Sequence, residues 1–195
     1  MPVTPIVLPN GETALDNRII YFNGTFTEEK AKETINNIFK LEAKNPTKDI
    51  IMYIDSGGGY VHSFLAIHDV MKCITRCNII TVGIGKQMSC GQLLLMSGSK
   101  GKRFLTPNSR VLMHQISSMA WGKLADMEID MAESKRLQSL IEGLIVKYTK
   151  ITKKKLPELM AIDSYMSAEQ ALEYGIADVI IRKPTDLYKN PKVHL

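Results

Sequence analysis

Cysteine is scarce in this chain: three in 195 residues, Cys73, Cys77 and Cys90, with no CxxC pair. An odd count without pairing argues against a disulfide framework and fits a reducing, cytoplasmic compartment. Four histidines stand in no HExxH or zinc-finger spacing, so no metal is expected. Tryptophan occurs once and no aromatic RNA-binding signature is present. No apolar run approaches the roughly 20 residues that span a bilayer, so no membrane partner is expected. Residues 1–10 lack a basic start and hold only Ile6-Val7-Leu8 between prolines, unlike a secretory signal. Repeats and low-complexity tracts are also missing.

What is present is ordinary globular composition, 45% hydrophobic and 23% charged. The length predicts one domain. The net charge of +5 is spread out, and its densest cluster, Lys153-Lys154-Lys155, reads as a solvated loop or helix start. That disfavours a nucleic-acid partner.

Strands and helices alternate, which predicts an α/β fold with a parallel-type sheet. Ile19–Phe22 reads as a short strand closed by Asn23-Gly24. Thr27 caps a helix whose inward face holds Ala31, Ile35, Ile38 and Phe39. Ile50–Ile54 is a continuous apolar strand, of the kind buried on both faces. Asp55-Ser56-Gly57-Gly58-Gly59 reads as a turn into a helix over 61–72, which places Cys73 and Cys77 as helical neighbours. Further strands are expected at 79–84, 104–105, 110–114 and 179–181. One long helix is expected over 123–150, with Leu137, Leu140, Ile141, Leu144, Ile145 and Tyr148 as its stripe. Ser167 and Gln170 form a capping box, Gly175 stops that helix, and a polar tail closes the chain.

Two strand-to-helix junctions could carry chemistry. Three consecutive glycines, Gly57 to Gly59, permit positive φ and close backbone approach, and so could cradle an oxyanion or simply make a tight turn. No GK[ST] follows and no GxGxxG is formed, so no nucleotide cofactor is indicated. At the second junction Ser89 lies between Gly85 and Gly91, with the Cys90 N–H beside it. The arrangement is like a nucleophile elbow, although Gln87 breaks the GxSxG pattern, and an N-cap serine fits as well. A serine nucleophile needs a base and an orienting carboxylate. His114 ends an apolar run, and Asp163 lies in the connection before the capped helix; either residue could equally be structural.

Three stretches carry a resemblance. Ser99 to Gln115, SKGKRFLTPNSRVLMHQ, is similar to the G-K-R-x-x-L-P-N-S-R-x-M-I-H-Q segment of the Clp protease proteolytic subunit, ClpP, a serine peptidase family. Tyr165-Met166-Ser167-Ala168 through Asp178, and Asn45-Pro46 through Ile54, are similar too. The resemblance spans about Arg18 to Ile181. It implies a crotonase-like, ClpP-type superhelix of βαβ units with a protruding handle helix. Residues 1–17 would be a short N-terminal arm and 18–195 a single peptidase domain, with the handle at about 115–150.

By the same resemblance Ser89 is nucleophile, His114 base and Asp163 orienting carboxylate, while backbone N–H groups of Gly59 and Cys90 form the oxyanion hole. The implied function is that of the ATP-dependent protease's proteolytic subunit, an endopeptidase acting on unfolded polypeptides without a cofactor. Seven-membered rings, two of them face to face as a tetradecamer, would enclose the sites. A Clp ATPase unfoldase is the implied partner, but the arm before Arg18 lacks the family's amphipathic helix and leaves that partnership open.

Several positions depart from the family pattern. Gly57 replaces a proline, which should loosen the glycine loop. Asp55 replaces an Asn, Lys86-Gln87 replaces Gln-Ala, and Ile116 replaces the proline after His114-Gln115. The alternative reading is a non-catalytic or weakly active ring subunit assembling with another ClpP-type subunit. An acyl-CoA enzyme on the related crotonase fold is a third.

Overall fold

The computed structural model describes residues 12–118 and 121–188. The first ten residues, read above as lacking a signal, lie outside that range, as does most of the N-terminal arm. Residues 13–18 form a turn in which the Asp16 carboxylate accepts the Thr13 N–H and hydroxyl.

The first strand, β1 (Ile19–Phe26), runs past Asn23-Gly24 instead of closing there. A bulge between Asn23 and Thr25 absorbs the irregularity, with Gly24 at φ 92°. Helix α1 (Glu28–Lys44) is capped by Thr27, whose hydroxyl accepts from the Lys30 N–H at 3.2 Å, with Glu28 and Glu29 in the first turn. Its buried face is Ala31, Thr34, Ile38 and Leu41, and Phe39 is exposed. Thr34 was hidden from an apolar count, yet its hydroxyl bonds the Lys30 carbonyl and so tolerates burial.

Strand β2 (Ile50–Gly59) includes the glycines, so the expected turn is strand: Thr25 pairs with Gly58 and Phe26 with Gly59. Helix α2 (Val61–Asp69) passes into a π turn over Val70–Ile74, and Thr75 is extended. Cys77 therefore lies beyond the helix and is buried, while Cys73 is exposed; they are not helical neighbours. Strand β3 (Ile79–Met88) overruns its expected end at Ile84, and α3 (Cys90–Met96) follows. Next come β4 (Arg103–Leu105), β5 (Arg110–Met113), α4 (Leu124–Tyr148), α5 (Leu156–Met160), β6 (Ser164–Met166), α6 (Ala168–Glu173), β7 (Val179–Ile180) and α7 (Thr185–Tyr188).

The sheet runs β1-β2-β3-β4-β7, all parallel. Strand β3 serves two neighbours. Thr81–Gly83 pair with β4, and beyond the Gly85 turn Lys86–Met88 pair with β5. Strand β6 joins β5 antiparallel. This fork carries the site. Helices cover one sheet face over the main core. On the other face Ile51, Ile80, Val82 and Phe104 are closed by Leu187 of α7, with Tyr188 hydrogen-bonded to Tyr53 at 3.0 Å. The stretch read as a polar tail thus supplies part of the core. Only the second half of α4 is buried, through Leu137, Ile141 and Ile145; its first half stands clear with Leu124, Ile129 and Met131 exposed.

The Gly-Lys-Arg segment has a structural reason. Lys102 reaches the buried Asp49 before β2 at 2.6 Å, and Arg103 makes a two-pronged pair with Asp178 before β7 at 2.6 and 2.9 Å. The two side chains tie β4 to elements on either side. Arg18, buried at φ 60°, donates to the carbonyls of Leu41, Asn45, Lys48 and Asp49 at 2.9–3.0 Å. It closes the C-terminus of α1 onto the start of β2. Replacing Arg18 with Met leaves these carbonyls without their cation. We expect a loss of about 3 kcal/mol or more in urea unfolding, with Lys restoring little because it lacks the planar fork. An unchanged midpoint in Arg18→Met would refute this role.

Candidate active site

Ser89 sits between β3 and α3 at φ 54°, ψ −121°, in the sparsely populated left-handed half of backbone space. It occupies the N-cap position, yet its hydroxyl makes no capping bond. The N-cap alternative therefore fails: the side chain is released from the helix it precedes. Two contacts explain the bend. The Ser89 N–H donates to the Leu112 carbonyl of β5 at 3.0 Å. A Cβ on Gly58 (φ 105°) would lie 2.7 Å from the Ser89 Cβ, and one on Gly91 would lie 2.7 Å from the Ser56 carbonyl. Only glycines let β2 and α3 approach this closely.

The glycine strand is not loose, contrary to what Gly57 suggested. Ser56 donates its hydroxyl to the Gly24 carbonyl at 2.6 Å and accepts the Gly58 N–H at 3.1 Å. The Gly58 N–H is thereby used, while Gly57 and Gly59 face the cavity. Asp55 is also structural, since its carboxylate accepts the Lys86 N–H at 3.1 Å beside the Gly85 turn. Gln87 is buried and donates to the Ile54 and Ile84 carbonyls at 2.6 and 3.0 Å, stitching β2 to β3.

Gly59, Ser89, Cys90 and His114 share one pocket of about 310 Å³. Its wall is apolar, with Val61, Leu93, Met113, Ile116, Ile141 and Ile145. The ladders explain the convergence. Met88 pairs with Leu112, so Ser89 and His114 each lie just past the end of the β3–β5 pairing. Met113 pairs with Ser164, so one further antiparallel step sets His114 opposite Asp163. Asp163 is exposed and does not line the pocket. Among the described residues, no hydrogen bond joins Ser89 to His114 or His114 to Asp163; the three are neighbours in register but not linked.

Cys90 opens α3, so its N–H has no acceptor within the helix. Its thiol is buried and donates to the Gly59 carbonyl at 3.4 Å. Burial pushes the thiol up to about 11, partly offset by the Ser89 hydroxyl and the Gly59 backbone. At neutral pH it is protonated and so a poor nucleophile.

A family model described as Clp protease matches residues 10–184. The chain belongs to the Clp protease family. The α/β architecture, the forked sheet and the long helix that stands clear of it are those of a ClpP-type fold. At the level of the family this is a peptidase. No helix among the described residues is long and apolar enough to cross a membrane.

Sequence reasoning missed two features of this Clp protease site. Strand β6 reads as a connection in the sequence, because three residues are too few to show alternation, yet its pairing with β5 brings Asp163 and His114 to the same end of one ladder. Gln138 of α4 was also missed: its Oε1 accepts the Ile116 N–H at 2.9 Å, a bond the family's proline could not make. The departure at Ile116 thus pins the extended segment after His114 to α4.

The thiols give a direct check of the pocket's geometry. With Cys73 exposed and Cys77 and Cys90 buried, native protein should show one fast-reacting thiol towards a disulfide reagent and three once denatured. The stability that Cys90 contributes is full below pH 9 and is lost as the pH rises through about 11. Rapid reaction of Cys90 in native protein at pH 7 would contradict the burial described.

Proposed function

We propose that this Clp protease family member is a serine endopeptidase that hydrolyses unfolded polypeptides. The observation carrying the reading is Ser89: a non-glycine residue held at positive φ, its hydroxyl uncommitted to the helix, in one pocket with His114 and the glycine strand. Strain of this kind is retained where surrounding contacts enforce it, commonly at reacting groups.

In this mechanism Ser89 attacks the scissile carbonyl and His114 takes the proton, later returning it to the leaving amine. Asp163 orients the imidazole and stabilises its charged form. The N–H groups of Gly59 and Cys90 receive the developing oxyanion; losing one such donor typically costs about 3 kcal/mol of barrier. The wall of Val61, Leu93, Ile141 and Ile145 suits an apolar side chain next to the cleaved bond. Face-to-face rings of seven would enclose these sites and exclude folded proteins, with a Clp ATPase as the feeding partner.

A second reading has its own observation. The absent hydrogen bonds between Ser89, His114 and Asp163 suit a ring-building subunit that cleaves weakly or only when assembled with another ClpP-type subunit. Hydrolysis of fluorogenic peptides separates the two. The serine reading expects cleavage after Leu or Met to exceed cleavage after Asp, with Ser89→Ala abolishing turnover and Asp163→Asn lowering it at least a hundredfold, as orienting carboxylates do. Undiminished turnover in Ser89→Ala would overturn it. Turnover only on mixing with a second subunit would support the alternative.

A further inference from the structure

A second cavity of about 550 Å³ lies where the π turn after α2, the turn after α3, the end of α4 and Asp178 before β7 meet. The pocket with Ser89 shares no lining residue with it. Its charged lining is Lys72, Lys100, Arg103, Lys147 and Lys150 against the single carboxylate of Asp178. That carboxylate is paired with Arg103. One oxygen takes the Gly101 and Arg103 N–H groups and the Arg103 Nε, and the other takes the Arg103 Nη2. Arg103 is satisfied by Asp178 and the Tyr148 carbonyl. Asp178 is thus paired with Arg103, and its one negative charge stands against five cations of the lining.

Two of the lysines meet at one ring. Lys72 and Lys147 place their ammonium groups 5.0 and 5.2 Å from the centroid of one ring, Tyr148. That ring is fixed from its other end, where its hydroxyl meets His68 Nε2 at 3.1 Å. Lys72 has one protein acceptor, the Gly98 carbonyl at 3.1 Å. Its pKa is lowered, first by burial and then by the neighbouring Arg103 and Lys147 charges. Cations gathered in a partly buried pocket repel one another, and a bound anion would turn that repulsion into attraction. The volume is that of a small-molecule site.

We propose that this cavity is a binding site for a small molecule carrying several phosphate groups, recognised by Lys72, Lys100, Lys147 and Lys150. Four lysines line this one space, and a multivalent phosphate chain is what several such point charges can match. The site is independent of the peptidase assignment.

The test is calorimetric titration of the full-length protein with inorganic tripolyphosphate, and in parallel with a nucleoside triphosphate, both without metal. We expect saturable binding, one ligand per chain, that weakens with salt as the Debye length falls below about 8 Å. Lys72→Met and, separately, the exposed Lys147→Gln should each weaken it about tenfold, the worth of one charged hydrogen bond. The double change Lys153→Gln/Lys154→Gln removes more charge outside the cavity and should leave binding intact. Equal affinity for both ligands identifies the phosphate chain as what is recognised, and tighter nucleotide binding adds a base contact. No saturable binding, or loss equal in the Lys153/Lys154 control and in Lys147→Gln, overturns the proposal. Folding of each variant is checked by its urea midpoint, and Lys147→Gln, at an exposed position, keeps the test valid should Lys72→Met be unstable.

Discussion

The site depends on one close approach: the end of β2 lies against the start of α3 with no room for a side chain between them. At Gly58 a Cβ would overlap the Ser89 side chain, and at Gly91 it would overlap the Ser56 backbone. That contact, together with the bond from the Ser89 N–H to Leu112, holds Ser89 at positive φ and turns its hydroxyl from the helix to the cavity. The same approach brings Gly57, Gly59, Ser89 and Cys90 to the lining of one pocket. The backbone strain at Ser89 is offset by packing elsewhere in the sheet, not by a capping bond of its own side chain.

The rest of the fold supports this contact from a distance. The Gly85 turn lets β3 leave β4 and pair with β5, which places His114 past the end of the same ladder that ends at Ser89. Buried charges fix the lower half of the sheet: Lys102 with Asp49, Arg103 with Asp178, and Arg18 on four carbonyls. Such pairs add little net stability over an apolar substitute but cost heavily when halved, so they specify register more than they strengthen it. Beside the pocket the bond from Ile116 to Gln138 couples the segment after His114 to α4.

Much of this was legible in the sequence. The caps at Thr27 and Ser167, the stop at Gly175 and the stripe of α4 follow from local chemistry and hold in the structure. Ser89, His114 and Asp163 stand as candidates through resemblance, because nothing local distinguishes a strained serine from an N-cap. What stayed hidden is non-local. The extensions of β1, β2 and β3 past their glycines come from bulges and register shifts that only a neighbouring strand reveals. Burial of Thr34 and Leu187, and the short strand β6, depend likewise on what packs against them.

The central claim is that the Ser89 hydroxyl is the reacting group. Intact and peptide mass spectrometry after exposure of the assembled protein to a fluorophosphonate tests it most directly. The account predicts one adduct per chain, on the peptide containing Ser89, and none after Ser89→Ala or prior heat denaturation. An adduct on another residue, one that persists in Ser89→Ala, or none in any assembled form would contradict it.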